Sequence, residues 1–213
     1  MGESTLREIK LSQSRWFQRE LAMFEKINKF CGGASIVPDT AETVWRPGYG
    51  SHHRLMPSGL GWELLLEGCR RAGIKYNYRS YFFQSLPTEA GIIHCDFEKI
   101  LLTTDSDSRP FMLYYSDQKR WVREQGGDIP TSVEETLYIL LRFYLEQNRV
   151  PFAAFCIRCR NSAQEFRGIP AVEWQAEKGL AVVYTSNHPS CCATVIPRKL
   201  FTIPQIIVPS SSP

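Results

Sequence analysis

Ser132, followed three residues later by Glu135, makes a reciprocal capping pair, and behind it Val133, Leu137, Leu140, Leu141 and Tyr144 recur along one helical face. A helix over Val133–Gln147 is thereby set before any other element. Its apolar stripe needs a sheet or further helices to cover it, so every architecture for the chain must provide that layer.

Two more helices follow from spacing. Phe17, Leu21, Phe24 and Ile27 recur at intervals of three and four, with Ser14 before them and Gly32-Gly33 after, which predicts a helix from Arg15 to Phe30. Trp62 to Ala72 predicts a shorter one, with Arg70 and Arg71 at its negative pole and Gly73 as its stop. Between them runs a long loop, punctuated by proline and glycine from Pro38 to Gly61.

Strands are expected at Ile74 to Phe83, Ile92 to Leu102 and Phe111 to Tyr115, the last turning through Ser116-Asp117-Gln118 into Trp121 and Val122. Beyond the capped helix they are expected at Val150 to Arg160, Leu180 to Thr185, Ala193 to Ile196 and Leu200 to Val208. This order fits an α+β fold, an antiparallel-rich sheet packed with about three helices, better than a regular βαβ alternation. A single globular domain over residues 1–208 is expected, with 209–213 as a disordered tail. No glycine-rich phosphate loop follows any expected strand, which disfavours a doubly wound nucleotide fold.

Composition narrows the class. A chain of 213 residues, 43% hydrophobic and 22% charged, can close a core without staples. No apolar run approaches the roughly 18 residues that span a bilayer, and the segment from Glu3 to Lys10 is polar and charged rather than a secretory leader. Leu6 occupies the position where a myristoylation signal carries serine or threonine. Seven cysteines, an odd number, point to the cytoplasm or another reducing intracellular compartment. The net charge of +3 is modest, although no acid follows Glu177.

Four constellations carry possible chemistry. In the glycine-rich loop, Trp45, Arg46, Tyr49, His52, His53 and Arg54 combine ring faces with cations, the pairing that holds single-stranded nucleic acid by stacking and phosphate contacts. The expected strand beside it adds Lys75, Arg79 and Tyr81 on one face, a platform of the same chemistry. An ordered loop covering a core edge is the competing account.

Cys156-Ile157-Arg158-Cys159 with His188 and Cys191 has the two-plus-two spacing of a zinc ribbon. Buried structural thiols are the stronger reading, because an alternating strand sends Cys156 and Cys159 to opposite faces. His94-Cys95-Asp96, taken with His52 or His53, offers a cysteine nucleophile and a base, yet successive strand residues diverge. Asp96, Glu98, Asp105 and Asp107 read as a solvated turn before they read as a magnesium site.

The expectation is a non-enzymatic binding protein that contacts nucleic acid, single-stranded in form, through the aromatic-basic surface. A protein-interaction or assembly module using the same aromatic and arginine residues comes second. A cysteine- or histidine-dependent enzyme comes third. Expected partners are therefore nucleic acid or protein, a second copy of the chain included, and not a membrane. No cofactor is expected apart from zinc at the Cys156, Cys159, His188 and Cys191 set.

Overall fold

The capped helix organises the architecture. In a computed structural model of the protein, which describes residues 15–32, 53–57, 59–77, 86–89, 91–94, 112–124, 126–127, 129–150, 154–160, 168–175, 177–189, 193–198 and 200–201, it runs Val133–Gln147. Ser132 Oγ accepts from the Glu135 amide at 3.1 Å, and Glu135 Oε2 accepts from the Ser132 amide at 2.8 Å. Asn148 ends the helix in the left-handed conformation and donates its amide to the Tyr144 carbonyl at 2.7 Å.

In chain order the elements are α1 (Arg15–Cys31), β1 (His53–Met56), α2 (Trp62–Arg71), β2 (Gly91–His94), α3 (Tyr115–Glu124), β3 (Ile129–Pro130) and α4 (Val133–Gln147). They continue with β4 (Ala154–Arg158), β5 (Ile169–Gln175), β6 (Gly179–Thr185), β7 (Ala193–Thr194), β8 (Pro197–Arg198) and β9 (Leu200–Phe201). The result is an α+β domain with four helices and a mixed four-stranded sheet ordered β6-β5-β4-β7. The sheet is antiparallel except that β7 runs parallel to β4, with Cys156 level with Ala193. Two smaller sheets, β1-β2-β9 and β3-β8, complete the described strands. No described helix is long and apolar enough to cross a membrane.

One core joins these layers. Leu137, Tyr138 and Leu141 of α4, Leu65 and Cys69 of α2, Ile157 of β4, Val172 of β5 and Val182 of β6 belong to a single buried cluster. The expected one-sided stripe of α4 proves too narrow: every residue from Val133 to Phe143 is buried. Charged residues survive there because each is paired. Glu134 accepts the Leu86 amide at 2.8 Å, Glu135 holds Arg160 at 3.1 Å, and Arg142 lies against Glu20 of α1.

That last pair is part of a buried network. Arg142 meets both oxygens of Glu20, at 2.6 and 2.7 Å, and also Glu146 at 2.7 Å. Glu20 accepts the Leu55 amide of β1 at 2.8 Å, and the Tyr138 hydroxyl donates to the Leu55 carbonyl at 2.5 Å. Arg54 closes the chain of charges on Glu146 at 3.1 Å. The network therefore fastens α1 and β1 to α4.

Several sequence expectations need correction. The expected loop through Gly61 contains strand β1, too short to show alternation, with Leu55 and Met56 both buried. The expected strand to Tyr115 and its turn are replaced by α3, where Gln118 and Val122 make the buried face one helical turn apart. β5 was not anticipated, and Pro170 lies near its start, where a central strand rarely takes proline. Proline is tolerated there because its carbonyl, which accepts from the Cys159 amide at 2.7 Å, is the group that the pairing uses. Of the expected strand Ile74 to Phe83, the described part holds a single parallel bridge, Tyr76 to Leu180, and 78–83 lies outside the described residues.

Candidate binding surface

The first turn of α3 sits where three other segments meet. Tyr115 donates its amide to Asn187, whose carbonyl and side-chain oxygen lie at 3.3 and 2.9 Å, which satisfies an otherwise orphaned helix N–H. The Tyr115 hydroxyl donates to the Cys159 carbonyl at 2.8 Å. One turn on, Gln118 is fully buried and donates through Nε2 to the Ala193 carbonyl at 2.9 Å.

Arg158 of β4 draws these segments together. Its guanidinium, 0% exposed, donates to the Leu113 carbonyl at 3.1 Å, to Gln118 Oε1 at 3.0 Å and to the His188 carbonyl. A planar fork can serve several acceptors at fixed angles, which a lysine ammonium cannot reproduce. Segments 112–114, 115–118 and 186–189 are thus held against the end of β4.

Aromatic and cationic side chains are among those this frame presents to solvent, with Glu124 also exposed at the end of α3. Tyr114 is 46% exposed, and its ring lies 6.1 Å from that of exposed His188, tilted by 57°. Lys119 stands 5.1 Å over the Tyr115 ring, and exposed Arg120 and Arg123 follow along the helix, Arg120 sharing its charge with Asp117 at 2.8 Å. Beside Tyr114, Met112 is 62% exposed and has φ of 54°, in the left-handed region.

Of the residues chosen from sequence, His188 lies on this surface, and many of the others lie outside the described residues. Trp45, Arg46, Tyr49, His52, Arg79, Tyr81 and Cys191 lie outside the described residues, as do Cys95, Asp96, Glu98, Asp105 and Asp107. His53 is half-buried, and its carbonyl accepts from Trp16 and from Arg54. The Arg54 side chain is only 11% exposed and is engaged with Glu146. Lys75 is exposed and donates through Nζ to the Glu177 carbonyl. His53 and His94 are register partners across β1 and β2.

The proposed zinc ligands are not assembled by the described residues. Cys156 stands in β4 level with Glu173, whereas Cys159 lies past the strand end, buried, with Sγ 3.4 Å from Thr136 Oγ1. His188 is exposed and faces Tyr114. Among the described residues no three His, Cys, Asp or Glu side chains converge.

The buried thiols are held in their protonated form. Burial pushes Cys31 up to about 11 against the opposing charge of Arg71, and it pushes Cys69 and Cys159 up as well. A nucleophilic thiol needs the reverse. Because the folded values exceed the unfolded ones, the stability these thiols contribute is complete below pH 9. For Cys31 it is lost as pH rises from 9 through about 11. Urea titrations at pH 7, 9 and 10.5 are expected to show midpoints falling over the upper interval, and a triple Cys→Ser variant at 31, 69 and 159 should lose that dependence if it folds. At pH 7 a disulfide reagent should reach these three thiols only after unfolding.

The sequence pointed to His188 as a metal ligand and to Arg158 merely as a residue inside a cysteine pair. The signal that was available is the run Met112-Leu113-Tyr114-Tyr115, apolar and aromatic directly before a charged helix. Comparison with family models, curated proteins and solved structures finds no match for this chain.

Proposed function

We propose that the chain is a non-enzymatic binding protein that takes single-stranded nucleic acid on the surface formed by Tyr114, His188 and the basic side of α3. The observation carrying this reading is the exposed Tyr114–His188 ring pair at the start of α3, the helix that carries Lys119, Arg120 and Arg123. Bases stack on ring faces whatever their identity, and neighbouring cations contact the phosphates. An exposed aromatic pair on a frame tied by buried hydrogen bonds loses little freedom on binding. The loop from Trp45 to Arg54 supplies a second region of the same chemistry in the sequence.

The test is fluorescence anisotropy of a labelled mixed-sequence single strand and its duplex, at about 50 and 200 mM salt. The single strand is expected to bind more tightly, with affinity falling as salt rises. Tyr114→Ala should weaken it roughly 5- to 100-fold, the loss of one stacked base. No binding of the single strand at low salt would overturn the reading. Full binding by Tyr114→Ala with loss in Trp45→Ala would keep the function and move the surface to the loop.

Met112 favours a second reading. A thioether 62% exposed beside a tyrosine is an adaptable apolar contact of the kind that protein interfaces use. On that reading the surface receives a protein partner, and association would persist at high salt and fail in Met112→Asp.

A further inference from the structure

The geometry points to Arg158 as the positioning residue of this surface, an inference that rests on the Tyr114–His188 reading for its consequence in binding. Arg158 touches no ligand, being 0% exposed. Among the described residues its acceptors include groups on two stretches of chain distant in sequence: Leu113 beside Tyr114 and Gln118 in α3 on one, and His188 on the other. The two rings that make the exposed pair are thus tied to one guanidinium, Tyr114 through its neighbour's carbonyl and His188 through its own.

The surrounding bonds make the clamp specific. Gln118 accepts from Arg158 with its oxygen and donates with its nitrogen to Ala193, so its amide is oriented from both ends. Asn187 meets the Tyr115 amide next to His188, so the same two stretches are joined a second time. Arg158 is the last residue of β4, level with Ala171 of β5, and β4 itself lies between β5 and β7, so the clamp is based on the end of a strand paired on both sides. Lysine at this position keeps the charge and loses the fork.

Without the clamp, binding would have to order the two rings at its own cost, about 5- to 100-fold in affinity for two side chains. The salt dependence would stay unchanged, since Arg158 contacts no phosphate. Arg120→Ala, by contrast, is expected to lower the salt slope.

The deciding experiment combines hydrogen exchange with anisotropy on the full-length chain, comparing wild type with Arg158→Lys and with Gln118→Leu, which removes one acceptor while leaving the arginine in place. Expected are faster exchange at the Tyr115 amide with the Leu137 amide still protected, weaker single-strand binding by the factor above, and an unchanged salt slope. Equal loss of protection at Tyr115 and Leu137 in both variants would make Arg158 a general stabiliser and overturn the inference. So would wild-type affinity in Arg158→Lys. If the wild type binds no single strand, the nucleic-acid reading falls, and the Tyr115 exchange still decides whether Arg158 holds these segments.

Discussion

Glu20→Ala is expected to destabilise the protein by about 3–5 kcal/mol, read as a fall in the urea midpoint at unchanged slope. The carboxylate is 2% exposed and meets Arg142, itself 3% exposed, through both oxygens. Removing it leaves a guanidinium in the core with Glu146 as its remaining carboxylate partner among the described residues, and it strips the Leu55 amide of its acceptor. The cost comes from the abandoned partner and not from any large net value of the ion pair.

A double variant separates the two. Glu20→Met with Arg142→Met removes both buried charges at similar volume, and Glu146 keeps Arg54 at 3.1 Å. Most of the loss should return, except about 1–3 kcal/mol for the Leu55 N–H left without an acceptor. A double variant as unstable as Glu20→Ala would mean that the pair contributes strongly in its own right.

Gly179→Ala should cost a comparable amount, about 3–5 kcal/mol, by a different route. Gly179 has φ of +89°, and a Cβ there would stand 2.4 Å from the Lys75 carbonyl oxygen and 2.8 Å from the Tyr76 nitrogen. Both neighbours are backbone, so they cannot swing aside. Relief requires segment 75–77 to leave β6, which breaks the hydrogen bonds from Leu180 to Lys75 and from Asn77 to Leu180, at 2.8 and 2.7 Å. Gly126→Ala is the control: φ is +75° there too, with nothing within 4 Å, so only the conformational cost of about 1–2 kcal/mol applies. Equal midpoints for the two alanine variants would show that the close approach at Gly179 is of no consequence.

These effects mark where the sequence was legible. α1, α2 and α4 could be read because their signals are local: a cap, a stop and a repeat of three and four residues. β1 and β5 could not, since what makes them strands is a distant partner. β1 is anchored by Glu20 and Tyr138, and β5 is enclosed between β4 and β6 despite Pro170. α3 was obscured by aromatic and β-branched residues, whose strand preference yields once Gln118 and Val122 have a site to fill.

The candidate surface was hidden for the same reason. Tyr114 and His188 are separated by 74 positions in the sequence and meet where Arg158 and Asn187 join their two segments. Arginine in the sequence suggests a surface cation, and Arg158 proved to be a buried strut and Arg54 a half-buried one. Exposure and burial of arginine depend on partners that no local window contains.

The three-stranded sheet constrains the order of events during synthesis. β1 and β2 can pair as soon as residue 94 is available, but β9, which covers the other side of β2 through Ile92 and Phe201, arrives more than a hundred residues later. Until then β1 and β2 form a two-stranded ribbon whose β2 edge awaits β9, and such ribbons are marginal alone. A growing chain would thus carry an unguarded hydrogen-bonding edge while α4 and the main sheet are being made, which is the interval when a holding chaperone would have something to grip.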